Sequence, residues 1–370
     1  MTAHLESLLD TASVLVCAGA GGVGKTTTSA AISLAAARRG RRVVVVTIDP
    51  ARRLADAIGV SLSHRAEQVP GVGPGELWAV MLDTAATFDD LVRAHSKDPG
   101  QVDSILQNRF YRNMADALSG TQEFMAAEKL FELHHDERFD LVVVDTPPTR
   151  NALDFLEAPR RLVNFLDHRL YRVLVTPTRL GMRVASAAAQ PFVKMMSRVV
   201  GGDALAEAIS FFQAFDGMEA GFRDRAAVVM SLLQSPDTAY VLVTSPRRAA
   251  VDETQFFATE LRRQQLRVSA VVANRVHPDF APQLTDTDIA EAARNTSGTP
   301  VGALWQNLDT LRHAVRSEEQ VLAGLLRSVG DGAEVPCPTV PLLDHDVHDL
   351  TTLGTVADHL VGLRPEGALG

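Results

Sequence analysis

The chain has 370 residues, of which 46% are hydrophobic and 22% charged, and its formal net charge is -9 at pH 7. This acidic balance argues against a broad nucleic-acid surface, because binding to phosphate backbones needs concentrated Lys and Arg. No apolar run is long enough to span a bilayer, and the amino-terminal residues lack the pattern of a signal peptide, so we expect a cytoplasmic protein.

The sequence contains two cysteines, Cys17 and Cys337, which are far apart along the chain. They form no C-x-x-C pair, so neither a disulfide framework nor a four-cysteine zinc site can be built within one chain. Cys17 falls inside a predicted strand, where a thiol most often packs as a small hydrophobic group.

Six short, valine-rich runs predict the buried strands of a mainly parallel sheet. They lie at 13–18, 42–48, 77–82, 139–145, 239–245 and 268–274. Helical patterns lie between several of these runs, for example at 26–39 and 252–266. Such alternation predicts a doubly wound α/β fold.

Two long stretches, 84–137 and 159–236, interrupt this alternation with helical periodicity. We interpret them as a helical subdomain inserted into a core formed by residues 1–83, 138–158 and 237–370. The second stretch collects methionine and phenylalanine, including Met182, Met195, Met196, Met218 and Met230. Such residues are typical of a subdomain core, but they can also line a groove for an apolar partner.

Residues 19–26, GAGGVGKT, satisfy the phosphate-loop (P-loop) pattern G-x-x-x-x-G-K-[ST] between a predicted strand and a predicted helix. Glycines let successive backbone N–H groups point at phosphates, and the helix adds the positive end of its dipole. We expect Lys25 to bind the β and γ phosphates of ATP and Thr26 to ligate Mg²⁺. The loop residues predicted to bind ATP are Gly19, Gly21, Gly22, Val23, Gly24, Lys25, Thr26 and Thr27.

Two acidic residues follow predicted strands that end near this loop, Asp49 and Asp145. Asp49 is our candidate for positioning the attacking water and for contacting Mg²⁺ through water, although an Asp-Pro pair is also typical of a turn. Asp145 ends an apolar strand, as does the aspartate that holds magnesium or its water in nucleotide triphosphatases. The prolines at 147–148 stop the strand and favour a switch that senses the γ phosphate.

These segments together resemble those of the ArsA family of ATPases, which includes the arsenical-pump ATPase and the targeting ATPase for tail-anchored membrane proteins. GAGGVGKTTT (19–28), TIDPARRLADAIG (47–59) and DTPPTRNALDFLEAPRRL (145–162) occur in the order of the family's phosphate loop and two switches. The resemblance implies a dimeric, Mg²⁺-dependent ATPase. It also implies that Asn274 reads the adenine and that Pro341, Leu342 and Leu343 line its ring. The related MinD and ParA ATPases share the loop but match the second switch less well.

The chain departs from the family pattern at Ala20, where the family has a lysine that reaches the partner's phosphates across the dimer. Three interpretations stay open: a lysine-bearing paralogue supplies the cation in a heterodimer, Arg52 replaces it, or this chain binds ATP and hydrolyses it slowly as a regulatory subunit. The family's zinc-holding cysteine pair and arsenic-binding thiols have no match either. We therefore expect neither zinc nor arsenite.

The sequence thus predicts an ATPase whose dimer opens and closes to handle a hydrophobic protein client or a membrane complex, in the cytoplasm or peripherally at a membrane. A nucleotide-binding regulatory subunit is one alternative. A positioning ATPase like MinD or ParA is another, and it would need a basic amphipathic helix at the end of the chain. The segment TTLGTVADHLVGLRPEGALG shows no convincing helix of that kind.

Overall fold

The structure is a computed structural model, which describes residues 3–49, 53–109, 121–168, 207, 210–211, 213–214 and 217–363. At its centre is an eight-stranded sheet with the strand order β3-β4-β2-β5-β1-β6-β7-β8. The strands are β1 (Val14–Gly19), β2 (Arg42–Thr47), β3 (Glu67–Gln68), β4 (Glu76–Met81), β5 (Leu141–Asp145), β6 (Thr238–Thr244), β7 (Val268–Val276) and β8 (Thr339–Pro341). All neighbouring strands are parallel except β3 and β4.

The described helices alternate with the strands and also fill the two long stretches between them. They are α1 (Ala3–Thr11), α2 (Lys25–Arg38), α3 (Arg53–Ile58), α4 (Thr84–His95), α5 (Pro99–Leu106), α6 (Thr121–His134), α7 (Thr149–Asp167), α8 (Glu219–Leu233), α9 (Arg248–Arg263), α10 (Asp286–Asn295), α11 (Pro300–Gly330) and α12 (Leu350–Leu360). None of these described helices is both long and apolar enough to cross a membrane.

Both faces of the sheet are covered, as alternate residues of β1 show. Leu15 and Cys17 pack on one face, the α2 face, in an apolar cluster with residues of α1, α2 and α12. Val14 and Val16 pack on the opposite face, the α6 face, with residues of α4, α6, α7, α8 and α9. Because side chains on both faces are buried, the strands are continuous apolar runs without polar alternation.

The doubly wound α/β fold predicted from the sequence is confirmed. All six predicted strands are present, with ends that differ from the prediction by at most two residues. The two strands that were not predicted, β3 and β8, have two and three residues. Such segments are too short to show any periodic pattern, and they pair only because longer neighbours offer a sheet edge.

The helices of the two long stretches pack together on the α6 face. Leu91 of α4, Leu130 of α6, Phe155 of α7 and Phe222 of α8 belong to its cluster, and Met218 is buried with them. Met182, Met195 and Met196, which suggested a groove, lie outside the described residues. The bounds of the inserted subdomain therefore stay predictions, as do the two interpretations of its second stretch, a plain core or a groove.

Candidate functional site

The phosphate loop begins where β1 ends and finishes where α2 begins, at Lys25. In the sheet, Asp145 at the end of β5 has Cys17 of β1 on one side and Thr47 of β2 on the other. Because these strands are parallel, their carboxyl ends meet at one edge of the sheet. This edge brings the loop together with the segments that hold Asp49 and Asp145.

Asp145 is the centre of a hydroxyl cluster at this edge, and its side chain is fully buried. The hydroxyl groups of Thr26 and Thr47 donate hydrogen bonds of 2.8 and 2.9 Å to its Oδ2 atom. Ser29, one helical turn after Lys25, donates a longer bond of 3.4 Å to Oδ1. The carboxylate thereby joins α2, β2 and β5, and it lies beside the Thr26 hydroxyl.

Burial raises the pKa of the Asp145 carboxyl from 3.8 to about 6. The hydrogen bonds from Thr26 and Thr47 and the charge of Lys25 oppose this shift, whereas the charge of Asp49 adds to it. A hydroxyl and a carboxylate oxygen side by side are the ligand types that Mg²⁺ prefers. The donor set therefore fits a magnesium ion, held by Thr26 and Asp145 directly or through water.

In the protein without metal or nucleotide, we expect Asp145→Asn to be more stable than the parent, increasingly so as pH rises. The unfolded carboxyl ionises near pH 3.8 but the folded one only near pH 6, so the folded state binds more protons between these values. The unfolding free energy of the parent therefore falls across this window, by about 3 kcal/mol at most. Above about pH 6 this destabilisation is complete, and the neutral amide escapes it.

Chemical denaturation in EDTA from pH 4.5 to 7.5 measures this difference. Asp140→Asn is a control for which we expect the opposite change in stability. In the parent, a hydrogen bond from Arg42 lowers the pKa of the Asp140 carboxyl, so the ionised form stabilises the folded state. That variant should lose stability relative to the parent at neutral pH. A difference between Asp145→Asn and the parent that stays flat with pH would contradict the prediction.

Lys25 lies folded back along the phosphate loop. Only 8% of it is exposed, and its Nζ atom donates a hydrogen bond of 2.9 Å to the Ala20 carbonyl. Burial lowers the pKa of the Lys25 ammonium, while the charges of Asp145 and Asp49 oppose that change. The ammonium group can thus exchange a neutral carbonyl for a phosphate oxygen, which is the stronger acceptor.

The loop conformation needs glycine at several positions. Gly22 and Gly24 have φ angles of 76° and 89°, in the left-handed region that other residues rarely adopt. A Cβ atom added to Gly24 would also collide with the Asn274 side chain, and one added to Gly19 would collide with the Val243 carbonyl. At Gly21 an added Cβ would meet nothing within 4 Å. The backbone of the loop is therefore closely supported on the sheet side and open at Gly21.

Asp49 lies two residues beyond β2, and 22% of its side chain is exposed. Arg53 approaches its Oδ2 atom at 3.5 Å. The preceding residue is held firmly, because the Ile48 carbonyl accepts a 2.6 Å hydrogen bond from Gln122 of α6. Arg52, the candidate cation for the partner's phosphates, lies outside the described residues.

Asn274 contacts the phosphate loop directly. Its Nδ2 group donates a hydrogen bond of 2.8 Å to the Val23 carbonyl, and its Oδ1 atom accepts one of 2.9 Å from the Arg275 N–H. These two bonds leave one amide hydrogen and one lone pair of the Asn274 side chain unused. The segment predicted to line adenine runs beside it: Pro341 ends β8, the N–H of Leu342 donates to the Val276 carbonyl, and the Leu342 side chain is 52% exposed. Leu343 packs against the cluster of the α2 face.

Ala20 is not open to solvent in this structure. It is 3% exposed and packs in the cluster of the α2 face, together with Val23. Position 20 of the loop is thus occupied by a small, buried apolar side chain. Among the described residues, no group of three or more His, Cys, Asp and Glu side chains could hold a metal ion.

Sequence reasoning missed several residues that contact the predicted ones. Thr47 and Ser29 bind Asp145, Gln122 binds the Ile48 carbonyl, and Arg275 binds the loop. Two of them had a signal in the sequence. Thr47 is a polar residue at the carboxyl end of an apolar strand, and Ser29 lies four residues after Lys25 on the same side of a helix.

Comparison with known proteins supports the resemblance seen in the sequence. The family model described as "Anion-transporting ATPase" matches residues 12–299, a range that includes the loop, both aspartates and Asn274. "ATPase get3" of Schizosaccharomyces japonicus is 27% identical over 276 residues, or 74% of this chain and 78% of that protein. An uncharacterised protein of Streptomyces coelicolor is 30% identical over 278 residues, or 72% and 63%. "ATPase ASNA1 homolog" of Entamoeba dispar is 24% identical over 263 residues, or 70% and 75%.

Proposed function

This chain belongs to the anion-transporting ATPase (ArsA) family of ATP hydrolases, and from that premise we propose that it hydrolyses Mg²⁺·ATP at the edge formed by the phosphate loop, Asp49 and Asp145. The hydrolysis cycle closes and reopens a dimer that handles a protein or membrane-associated client. The observation that carries the proposal is the hydrogen bond of 2.8 Å from the Thr26 hydroxyl to the Asp145 carboxylate. This pair lies close to the buried Lys25.

The roles of the residues follow from their chemistry. The backbone N–H groups of the loop and Lys25 bind the phosphates, and Thr26 and Asp145 hold the metal. When bound, Mg²⁺ neutralises the charge that develops on the phosphate oxygens during in-line displacement. Asp49 accepts a hydrogen bond from the attacking water and so aligns it with the γ phosphate.

Asn274 and the segment 341–343 form the proposed adenine contact. The amide supplies one donor and one acceptor, and the exposed Leu342 supplies apolar surface for the ring. An adenine presents both hydrogen-bonding types on its edge and an apolar face, so these groups suit it. The contact of Asn274 with the Val23 carbonyl and the pairing of β8 with β7 bring both groups close to the phosphate loop, which supports this part of the proposal.

A second candidate function is that of a slow, ATP-binding regulatory subunit, paired with a lysine-bearing paralogue. The observation that favours it is the burial of Ala20, since its position in the loop carries no cation toward a partner. A cation that stabilises phosphoryl transfer across an interface is worth about three to five powers of ten in rate. Without one, the isolated chain would bind ATP and turn it over slowly.

Steady-state ATPase rates over a wide range of protein concentration distinguish the two functions. We expect the rate per chain to rise with concentration and then level off, because two copies must meet to complete the site. ATP binding is measured in parallel on the same samples. A rate near zero at every concentration with ATP still bound would favour the regulatory subunit, and absence of ATP binding would contradict both functions.

A further inference from the structure

Arg275, the residue after Asn274, has an unusual backbone for its type. Its φ angle is 61°, in the left-handed region that disfavours residues with a Cβ atom. It also lies where the pairing of β7 with β8 shifts register, between the pairs Asn274–Val340 and Val276–Pro341. Irregularities of this kind next to functional sites redirect side chains, and backbone strain is often retained there.

The redirected side chain reaches the phosphate loop. The Nη1 group of Arg275 donates a hydrogen bond of 3.0 Å to the Gly22 carbonyl. Asn274 donates to the next carbonyl along the loop, that of Val23, and at the same time accepts from the Arg275 N–H. Two adjacent residues at the end of β7 therefore hold two successive loop carbonyls.

These contacts fix the orientation of the peptide groups that precede Lys25. In a trans peptide the C=O and N–H bonds point in opposite directions. With the carbonyls of Gly22 and Val23 held by β7, the following N–H groups, of Val23 and Gly24, point away from β7. Successive N–H groups that are oriented in this way form the concavity in which a loop binds phosphate.

A cationic donor does more than hold the carbonyl in place. The guanidinium draws electron density toward the Gly22 oxygen, which makes the N–H of the same peptide a stronger donor. A hydrogen bond from a charged group is also stronger than one from a neutral group. Arg275 thus combines orientation with polarisation of one peptide group.

The end of β7 is itself anchored, so that the arginine extends from a fixed base. The N–H of His277 donates to Glu318 of α11 at 3.0 Å, and the His277 ring contacts the same carboxylate at 2.6 Å. On the other side, the Leu342 N–H donates to the Val276 carbonyl at 2.9 Å. The exposed Arg275 side chain is therefore positioned by backbone that is held from two directions.

We propose that Arg275 is a positioning residue for ATP binding, which orients the phosphate loop by holding the Gly22 carbonyl with its guanidinium group. This inference rests on the proposed function, since the ligand of the loop is the triphosphate of ATP. The role is played through the loop backbone, so Arg275 affects ATP affinity more than the rate of the chemical step.

Three substitutions separate the guanidinium from the strained backbone. Arg275→Ala and Arg275→Gly both remove the hydrogen bond to Gly22, but glycine also relieves the positive φ angle. We expect both to weaken ATP binding about tenfold, the loss typical of a charged hydrogen bond. Arg275→Lys keeps a cationic donor and should restore part of the affinity. The turnover rate at saturating ATP should change less than twofold in all three, roughly the scatter of such comparisons.

The measurements are equilibrium ATP binding and steady-state kinetics in Mg²⁺, with thermal unfolding of each nucleotide-free variant. Arg262→Ala is a matched control, because Arg262 is also exposed and donates to a backbone carbonyl, that of Ser328, away from the loop. It should bind ATP like the parent. The inference would be overturned if the ATP affinity of the variants followed their thermal stability and Arg275→Gly bound ATP as well as the parent. That result would mean that the backbone strain, and not the guanidinium group, determines ATP affinity.

The outcome also distinguishes failure of this inference from failure of the proposed function. If neither the parent nor Lys25→Ala binds ATP, the proposed ATPase function is overturned. A parent that binds ATP while Lys25→Ala does not, together with an Arg275→Ala variant that equals the parent, would leave the function standing and overturn the inference alone.

Discussion

Substitution of Lys25 by alanine is expected to weaken ATP binding roughly a hundredfold or more and to lower turnover by roughly three powers of ten. Lys25 is 8% exposed, and its ammonium group is influenced by the charges of two carboxylates, those of Asp145 and Asp49. Without it, the triphosphate would bring further negative charge into a site that already holds two carboxylates, and one of the cations that balance this charge would be missing. Charge interactions at such a desolvated site are strong, so the loss should be large.

The measurement is equilibrium binding of ATP together with multiple-turnover hydrolysis, each at several Mg²⁺ concentrations. Lys25→Met separates charge from volume, because its side chain fills nearly the same space without a charge. Both variants should lose affinity alike. Thermal unfolding without nucleotide shows whether they fold, and a folded Lys25→Ala with normal affinity and turnover would remove the phosphate loop from the proposed function.

The parts of this molecule that the sequence predicted are those with local signals. The phosphate loop is a contiguous pattern, so GAGGVGKT could be recognised without knowledge of any distant contact. The six main strands are buried on both faces of the sheet. Nearly every residue in them is therefore apolar, and such a run can be recognised in the sequence. Asp49 and Asp145 were singled out because each follows such a run, and parallel strands end at the same edge.

The parts that could not be predicted depend on contacts between distant segments. Thr47 and Ser29 meet on Asp145, which lies 98 and 116 residues away along the chain. The contact of Arg275 with Gly22 joins residues that are 253 positions apart. It also depends on the register shift in β7 and on the positive φ angle of Arg275, which no local sequence pattern predicts. The burial of Ala20 is likewise a property of packing between segments, which the sequence does not predict.

The role of Ala20 is interpreted differently from the sequence and from the structure. From sequence alone, alanine could have been a surface position that lost its cation, with Arg52 as a neighbouring replacement. The structure shows a side chain packed against the α2 face, while the Ala20 carbonyl accepts the hydrogen bond from Lys25. The residue therefore contributes to the resting position of Lys25 through its backbone carbonyl.

Asp49→Asn is expected to bind ATP but to hydrolyse it roughly a hundredfold to a thousandfold more slowly than the parent. The amide has nearly the same shape as the carboxylate, so the surrounding backbone should be undisturbed. It carries no negative charge, so it is a weaker hydrogen-bond acceptor for the attacking water and cannot take a proton from it. ATP affinity should stay equal or increase, because removal of the charge lowers repulsion with the γ phosphate.

The decisive measurement is a single-turnover experiment, with the bound nucleotide released by denaturation and separated into ATP and ADP. Asp49→Asn should retain ATP over times at which the parent holds ADP. Asp56→Asn is the matched control, because the same substitution is made at an exposed position of α3, seven residues further along the chain, and it should hydrolyse ATP like the parent. Hydrolysis by Asp49→Asn at the parent's rate would exclude Asp49 from the chemistry, whereas loss of ATP binding would mean that its carboxylate supports the fold of the site. Trapped ATP with intact binding is the result expected if the Asp49 carboxylate acts on the attacking water and not on nucleotide affinity.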